Sequence, residues 1–551
     1  MKHGTSELSI GSLILLFYTF NLISNVLASI HEYKDEQFIP KSNAFFFHGG
    51  TEGLYASKSS SNASPDKPLE GKSFIRFEDI VFLRTKESAD ATNEMQSRTG
   101  LIETIILEVR DREKIGDAFA KSNALCCTPK LAQEKFCTVG EVMIQHNQDN
   151  PLWPLRIQTY FEGKNQEANM LPATVEINST GMYYLYFMFC DPALKGTIIR
   201  GRTVWKNPDG YLPGRMVPLM TFYGLASLAY LVLGLFWFLK FVQFWKDVIQ
   251  LHYQITAVIA LGMSEMALWY FEYANLNATG SRPMVITIWA VTMTAVKKTL
   301  SRALLLVVSM GYGVVRPTLG GVTSKVYLLC LMYFIATEAL ELVEHLGSIN
   351  DFSRKTKIYL VLPVVFLDAS VILWIFSSLS KTLEKLQVDV WSKMMISIAC
   401  MILPNRANMR KSMAKLDLYR KFTNSLAIFV LLSIAWVGYE LYFNASDPLS
   451  ELWRISWIIP AFWSLLAFSL LVVICILWAP SSNPTRYAYA GETEDDYDEE
   501  ALSLTTGVRV MAGVRVISDS GTMLERKEKK GSASTEIISD QREDPEEDKR
   551  E

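Results

Sequence analysis

Long apolar segments follow one another through the second half of this chain. A helix of about 20 apolar residues is long enough to cross a bilayer. Seven segments reach that length: 216–240, 254–273, 284–310, 325–345, 358–380, 422–443 and 455–478. Residues 29–205 and 480–551 are far more polar. The pattern predicts a membrane protein with a folded amino-terminal domain, seven membrane helices over 216–479 and a polar tail.

The first 28 residues have the pattern of a secretory signal peptide. Lys2 and His3 precede a short apolar run, and Val26-Leu27-Ala28 offers small residues for cleavage. The apolar run is shorter than a membrane span, which favours cleavage over the alternative of a retained signal anchor. We therefore expect the folded amino-terminal domain, residues 29–205, in the lumen of a secretory compartment.

Residues 29–205 are rich in strand-forming side chains. The clearest predicted strand is MYYLYFMF, residues 182–189, whose aromatic and aliphatic side chains suit the core of a sandwich. Looser alternation occurs in residues 73–80, 101–109 and 153–161. No pairing of nucleophile with base, and no pair of carboxylates, stands out in this sequence. We therefore predict that this domain is a β-rich binding domain and that it is not an enzyme.

Four cysteines lie in the predicted lumenal domain. An even number in an oxidising compartment favours two disulfides, and four cysteines allow three pairings. Adjacent cysteines rarely bond each other, so each of the first two should pair with one of the last two. A zinc site is the weaker alternative, because no lumenal histidine has ligand spacing. The four residues are Cys126, Cys127, Cys137 and Cys190.

Glycosylation sequons and loop charges agree on one membrane topology. A lumenal amino terminus places the loops after spans two, four and six in the lumen, and all four sequons then lie there. The loop 381–421 carries nine Lys or Arg, as expected of a cytosolic loop. We therefore expect the carboxyl-terminal tail in the cytosol. The candidate acceptors are Asn62, Asn178, Asn277 and Asn444.

One apolar stretch does not fit the seven spans. Residues 394–403 are uncharged, but ten residues make about 15 Å of helix, half of a bilayer core of roughly 30 Å. Lys393 and Arg406 flank the stretch, and a crossing there would place Asn444 in the cytosol. We therefore predict that residues 394–403 do not span the membrane. The stretch could instead be a membrane-surface segment, a re-entrant segment or part of an insertion. We favour an insertion that comprises residues 388–409, either a retained intron or a lineage-specific addition.

Ionisable residues inside the predicted spans are the main candidates for a functional site. A charge in hydrocarbon costs several kcal/mol unless it is paired or hydrated. The charges could line a polar cavity for a lipid head group, an ion or another ligand, or form ion pairs that fix the helix packing. The third span contributes Lys297, Lys298 and Arg302, and other spans contribute Glu265, Glu272, Glu338, Glu341, Asp368 and Glu440.

Three motifs carry a resemblance to a known family. NPDGYLPG (207–214), KKTLSRALLLVVSMGYGVVRPTLG (297–320) and LDLYRKFTN (416–424) resemble the lung seven-transmembrane receptor family, in its transmembrane protein 87 branch. The tail segment RYAYAGETEDDYDEEALSL (486–504) is similar to that of plant members. The resemblance implies a lumenal GOLD-type β-sandwich followed by seven spans, with no catalytic residues and no cofactor. Through the third span, it also assigns Lys298 and Arg302 to a cavity open toward lipid or lumen.

The resemblance further implies a non-enzymatic role in traffic between endosomes and the Golgi apparatus, with endosomes and the plasma membrane as further locations. The expected partners are a membrane lipid, a lumenal cargo protein and a cytosolic coat or adaptor. The last would bind the acidic cluster 492–500 in a tail, 480–551, whose composition predicts disorder, although the cluster could also be a solvated spacer. A net charge of −3 gives no indication of nucleic acid as a partner. A signalling receptor and a cation channel or its accessory subunit are the alternatives.

Overall fold

The structure is a computed structural model, and it describes residues 29–58, 71–91, 98–116, 124–133, 137–146, 152–312, 315, 320–346, 354–399, 406–447 and 451–480. The predicted signal peptide, the sequon at Asn62 and the acidic cluster of the tail lie outside these residues. The described chain contains a β-sheet domain followed by long helices, which confirms the predicted fold class.

Ten strands form two five-stranded antiparallel sheets. One sheet has the order β1-β10-β4-β7, with β8 also paired to β4, and the other has the order β2-β3-β9-β5-β6. Strand β9 contains the predicted strand 182–189 and lies between β3 and β5. The strands are β1 Ile30–Gln37, β2 Ile39–Lys41, β3 Ala44–Leu54, β4 Phe74–Leu83, β5 Thr99–Glu108, β6 Leu155–Phe161, β7 Glu167–Asn169, β8 Thr174–Glu176, β9 Gly181–Phe189 and β10 Ile198–Lys206.

Strand β9 is apolar at almost every position because both of its faces are covered. Tyr183, Leu185 and Phe187 point into the core between the two sheets. Met188 faces the opposite side, where it packs with Ile115 and Val142 from the segment that follows β5. A strand covered on both sides reads as a continuous apolar run, which explains why the sequence here lacks a period of two.

The covering segment is held by the two disulfides. Cys126 pairs with Cys190, at the end of β9, and Cys127 pairs with Cys137, with Cα–Cα distances of 5.7 and 5.8 Å. Each of the adjacent cysteines therefore pairs with one of the two distant ones, as predicted. The first bond attaches the segment to the sheet, and the second closes a short loop within it.

Seven long helices follow the β-domain. Their ends lie alternately near the sandwich and away from it, because short connections join antiparallel neighbours. Gly280, with a positive φ of 77°, ends α2, and Pro283 precedes the first residue of α3. The helices are α1 Val217–Gln243, α2 Gln250–Thr279, α3 Met284–Ser309, α4 Thr323–Leu346, α5 Arg354–Ala399, α6 Arg406–Ser446 and α7 Ile458–Leu477.

Within the described residues, six of these helices are long and apolar enough to span a membrane. The exception is α3, whose 26 residues include Lys297, Lys298 and Arg302. Helix α3 packs against α2, α4 and α5. Because its neighbours supply partners for these charges, α3 can hold more charge than a span that faces lipid on several sides.

The sandwich and the segment that follows β10 contact the helices through polar and aromatic groups. The Asn277 amide on α2 accepts a hydrogen bond from the Leu212 N–H at 3.1 Å and donates to the Asp209 carbonyl at 3.2 Å. Trp453, between α6 and α7, packs against Gly53 of β3, where an added Cβ would lie 2.6 Å from the indole ring. The contact therefore requires glycine at position 53.

The described part of residues 388–409 is helical and forms neither of the two alternatives to an insertion, a membrane-surface segment or a re-entrant segment. Helix α5 continues unbroken to Ala399, and α6 begins at Arg406, so most of the stretch extends two neighbouring helices. Residues 388–399 contain neither Pro nor Gly, and Lys393 pairs with Asp389 one turn away, which favours helix. Pro404 lies between the two helices. The idea that 388–409 is an insertion stays a prediction.

Candidate functional site

Two adjacent lysines of α3 have different environments. Lys297 and its partner Glu265, on α2, are both buried, and Lys297 Nζ lies 2.7 Å from the carboxylate. The same ammonium lies 5.5 Å from the ring centroid of Tyr230, on α1. The pair connects three helices and is closed to a ligand, which fits the structural interpretation of these charges.

Lys298 points about 100° around the helix from Lys297 and is accessible. Its side chain is 45% exposed, and Nζ lies 2.5 Å from Glu341 Oε1, on α4. His345, one turn further along α4, lies 3.6 Å from the other oxygen of Glu341. The His345 ring also contacts the Trp269 ring, at 4.6 Å between centroids.

Arg302 lies one turn after Lys298 and shares its accessible face. Its side chain is 37% exposed, and Nε lies 2.9 Å from Asp368 Oδ1, on α5. The Tyr333 hydroxyl donates to the same carboxylate oxygen at 3.1 Å. Two cations and two carboxylates thus meet where α3, α4 and α5 come together. We call Lys298, Arg302, Glu341 and Asp368 the polar quartet.

Glu338 lies one turn before Glu341 on α4. It is buried, and its Oε1 accepts a hydrogen bond from Thr292 of α3 at 3.0 Å. Among the described residues, its Oε2 has no hydrogen-bond partner. A carboxyl group that is buried without a cation in contact is costly when ionised, so this side chain is suited to holding a proton or an incoming cation.

The other two predicted acids lie near the sandwich end of the bundle. Glu272 is fully buried beside Arg282, at 3.7 Å, and its carboxylate accepts from Thr287 at 3.4 Å. Glu440 accepts a hydrogen bond from the Trp463 indole N–H at 3.3 Å. Neither contacts the polar quartet in these hydrogen bonds and ion pairs.

Sequence reasoning missed several partners of the predicted residues. The missed Tyr333 lies on α4 in a series with a spacing of four residues, which continues with Thr337 and the predicted Glu341. This spacing could have indicated one polar helix face. Arg282 precedes Pro283 in a loop, outside the segments searched for charges. Thr292 carries no charge, so it gave no signal.

The sequons differ in their surroundings. Asn178 is exposed on the sandwich, and Asn444 is exposed on the last turns of α6. Asn277 is partly buried, and its amide nitrogen donates to the Asp209 carbonyl at the contact between sandwich and helices. A glycan on that nitrogen would displace this contact, so Asn277 has an alternative, structural role.

A second titratable pair lies in the sandwich, where no site was predicted. Glu52 of β3 is buried, and His31 Nε2 of β1 lies 3.0 Å from its Oε1. Burial raises the pKa of the Glu52 carboxyl, although His31 and Arg215 act in the opposite direction. Arg215 precedes α1, so this carboxyl responds to a charge from the edge of the membrane domain.

Comparisons with known proteins identify a matching family model and several relatives. Residues 218–485 match the family model described as GOST, seven transmembrane domain. The chain is 34% identical over 311 residues to transmembrane protein 87B of Mus musculus, covering 56% of this chain and 52% of that protein. It is 33% identical over 304 residues to transmembrane protein 87A of Xenopus tropicalis, covering 55% and 51%. A match to membrane protein PTM1 of Saccharomyces cerevisiae is 26% identical over 309 residues, covering 54% of each. The chain spans about half the length of the curated relatives it matches.

Proposed function

We propose that this chain is a non-enzymatic membrane-trafficking protein, because residues 218–485 match the family model described as GOST, seven transmembrane domain, and the chain is similar to transmembrane proteins 87A and 87B. It acts in the Golgi apparatus and endosomes, with the sandwich in the lumen and the tail in the cytosol. The lumenal domain binds cargo, and the polar quartet binds the polar head group of a membrane lipid.

The observation that carries this proposal is the exposure of Lys298 and Arg302 inside a membrane domain. A side chain with a charge is expensive in hydrocarbon, yet both cations keep more than a third of their surface open. Their carboxylate partners lie on two different helices. A head group with negative and positive groups can exchange with these internal ion pairs, so the charges stay compensated when it enters or leaves.

Neutralising the quartet tests the proposal. The test variant combines Lys298→Met, Arg302→Gln, Glu341→Gln and Asp368→Asn. Its matched control is Lys297→Met with Glu265→Gln, which neutralises the closed pair one residue away. Each variant is purified in nanodiscs, co-purifying lipid is quantified by mass spectrometry, and cargo retrieval is scored in cells that lack the native protein. We expect loss of bound lipid and of retrieval in the first variant alone. Equal lipid binding in both variants would refute the head-group site.

A cation channel is the second candidate, and Glu338 is the observation that favours it. Among the described residues, its buried Oε2 has no hydrogen-bond partner, and it lies one turn from Glu341 of the quartet, where it could coordinate a passing cation. Liposomes that contain the protein should then show a cation current that Glu338→Gln reduces. The absence of current from the purified chain would leave the trafficking proposal as the single candidate.

The sorting role of the tail is proposed on its sequence. The acidic cluster 492–500 surrounds Tyr497, and such clusters suit the basic surfaces of coat or adaptor proteins. Deleting residues 492–500 should move the protein from the Golgi apparatus to the cell surface in fluorescence images. An unchanged location would show that the cluster is a spacer.

A further inference from the structure

Helices α5 and α6 extend past the bundle on the side away from the sandwich. Residues 381–399 and 406–421 form the two arms, which we call the distal hairpin. The arms leave the bundle near Thr382, whose hydroxyl donates to the carbonyl of Ser309, the last residue of α3, at 2.9 Å. Asp389 joins the arms, because its carboxylate accepts from Lys393 on its own arm and from Ser412 on the other, at 3.0 and 2.8 Å.

The first arm presents an apolar stripe. Val388, Trp391 and Met395 follow the helical spacing i, i+3, i+7 and lie within about 60° of one another around the axis. All three are exposed, and the indole of Trp391 is 62% exposed. Met413, on the second arm, is exposed as well. Single exposed apolar side chains are common, whereas a contiguous stripe that contains Trp is typical of an interaction surface.

The surface around the stripe is basic. Residues 381–421 contain nine Lys or Arg against three Asp or Glu. Two of those acids are already compensated within the hairpin, Asp389 by Lys393 at 2.9 Å and Asp417 by Lys421 at 2.8 Å. The excess charge available to a partner is therefore positive, and a partner needs acidic groups around an apolar centre.

The stripe stands too far from the bilayer to be a lipid anchor. Helix α5 rises about 1.5 Å per residue, so Val388 lies about 9 Å and Met395 about 20 Å beyond Thr382. The head-group layer adds only about 5–8 Å to each side of the hydrocarbon core. With the edge of the hydrocarbon core taken at Thr382, where α3 ends, Trp391 and Met395 extend past the head groups into the aqueous phase.

We propose that the distal hairpin is a docking site for an acidic amphipathic helix of a partner protein. The helix lays its apolar face on Val388, Trp391 and Met395, and its carboxylates meet the basic residues that flank them. This is the helix-in-groove mode, in which apolar anchors repeat with helical spacing and charge sets the choice of partner. The stripe lies in residues 388–395, the first part of the stretch 388–409, so it gives a function to a segment that the seven spans left unexplained.

The proposal is tested with full-length protein in nanodiscs of phosphatidylcholine. The probe is a fluorescent peptide of about 20 residues, with Leu along one helical face and Glu along the other. We expect saturable binding in fluorescence anisotropy, a loss of about tenfold or more in affinity with Trp391→Ser, and weaker salt dependence with Lys385→Gln plus Arg410→Gln. The matched control is Trp245→Ser, because Trp245 is 68% exposed and lies on the same side of the bundle, between α1 and α2.

Several results would overturn it. Equal binding of the same peptide with Lys in place of Glu would remove the charge argument, and unchanged affinity in Trp391→Ser would remove the stripe. Binding of the hairpin to phosphatidylserine vesicles, without peptide binding, would assign the surface to lipid. A disulfide-linked dimer of Trp391→Cys would assign it to a second copy of the chain. Unaltered thermal unfolding of Trp391→Ser confirms that the variant folds.

Discussion

At the scale of single residues, Lys297 and Lys298 show how neighbouring positions of one helix serve different purposes. The first is paired within the packed interior with Glu265, whereas the second belongs to the accessible quartet with Glu341. Both were candidates from the sequence, and the family resemblance assigned Lys298, but not Lys297, to a cavity; the charge pattern by itself did not show which partner each lysine has. The distinction arises from the rotation of α3 against α2 and α4, which depends on packing between helices.

The closed pair gives the first prediction. Lys297→Met leaves the Glu265 carboxylate buried without its cation, and breaking such a pair typically costs about 3–5 kcal/mol. We expect a clear fall in the thermal midpoint of the protein in nanodiscs. Adding Glu265→Leu should recover most of the loss, because an apolar pair replaces an unpaired charge. A double variant as unstable as the single one would contradict this account.

The Glu52 carboxyl gives a pH prediction. Its pKa in the folded protein is raised above the ordinary value of 4.5 by burial. The protonated form therefore stabilises the fold, fully below pH 4.5, and this contribution is lost as the pH rises through the raised pKa. Glu52→Gln should reduce the decline in thermal stability over that window. An identical pH profile in the variant would exclude Glu52 as the responsible group.

At the scale of elements, the two disulfides that hold the segment over β9 should contribute differently to the free energy of unfolding. Cys126–Cys190 closes a separation of 64 residues and Cys127–Cys137 one of 10. Loop entropy then predicts stabilisation of about 4 and about 3 kcal/mol respectively. Cys126→Ala with Cys190→Ala should lower the unfolding midpoint more than Cys127→Ala with Cys137→Ala. The reverse order would mean that contacts with Ile115 and Val142 hold the segment without the first bond.

The elements also show what the sequence could predict. Composition and spacing predicted strand β9, all seven long helices and the absence of a bond between the adjacent cysteines, because each depends on local pattern or on chemistry that has few solutions. They left open which distant cysteine each of the adjacent pair bonds. The unbroken extension of α5 to Ala399 was missed, because the search for spans read an apolar stretch by its length alone. Helix propensity and the Asp389–Lys393 pair carried the missing signal.

The candidate site was predicted as a set of residues, without its internal pairing. Tyr333 and Thr292 were missed because uncharged polar side chains are common in membrane helices and give little contrast. Glu440 was predicted as a candidate for the same cavity, yet its carboxylate accepts a hydrogen bond from the Trp463 indole N–H. Which helix faces which, and at what height, is determined by packing of all seven helices together, so a single sequence leaves these pairings open.

At the scale of the whole molecule, the sandwich and the helices form a continuous unit through Trp453 and Asn277. Trp453 is buried against Gly53, Gly214 and Tyr55. Trp453→Ala should loosen the sandwich from the helices, and spin labels on the two parts should show a broader distance distribution. Trp289→Ala, at a tryptophan of α3 that is 55% exposed, is the control. Unchanged distances in Trp453→Ala would show that the polar contacts of Asn277 suffice.

The opposed environments of the two lysines also limit how the membrane domain can move. Turning α3 about its own axis by one residue would separate Lys297 from Glu265, Lys298 from Glu341 and Arg302 from Asp368, so all three present ion pairs would break together. That penalty opposes a rotation of α3 on its own. We therefore expect α3 to keep its azimuth in any conformational change and to move together with the parts of α2, α4 and α5 that hold the partners of its charges.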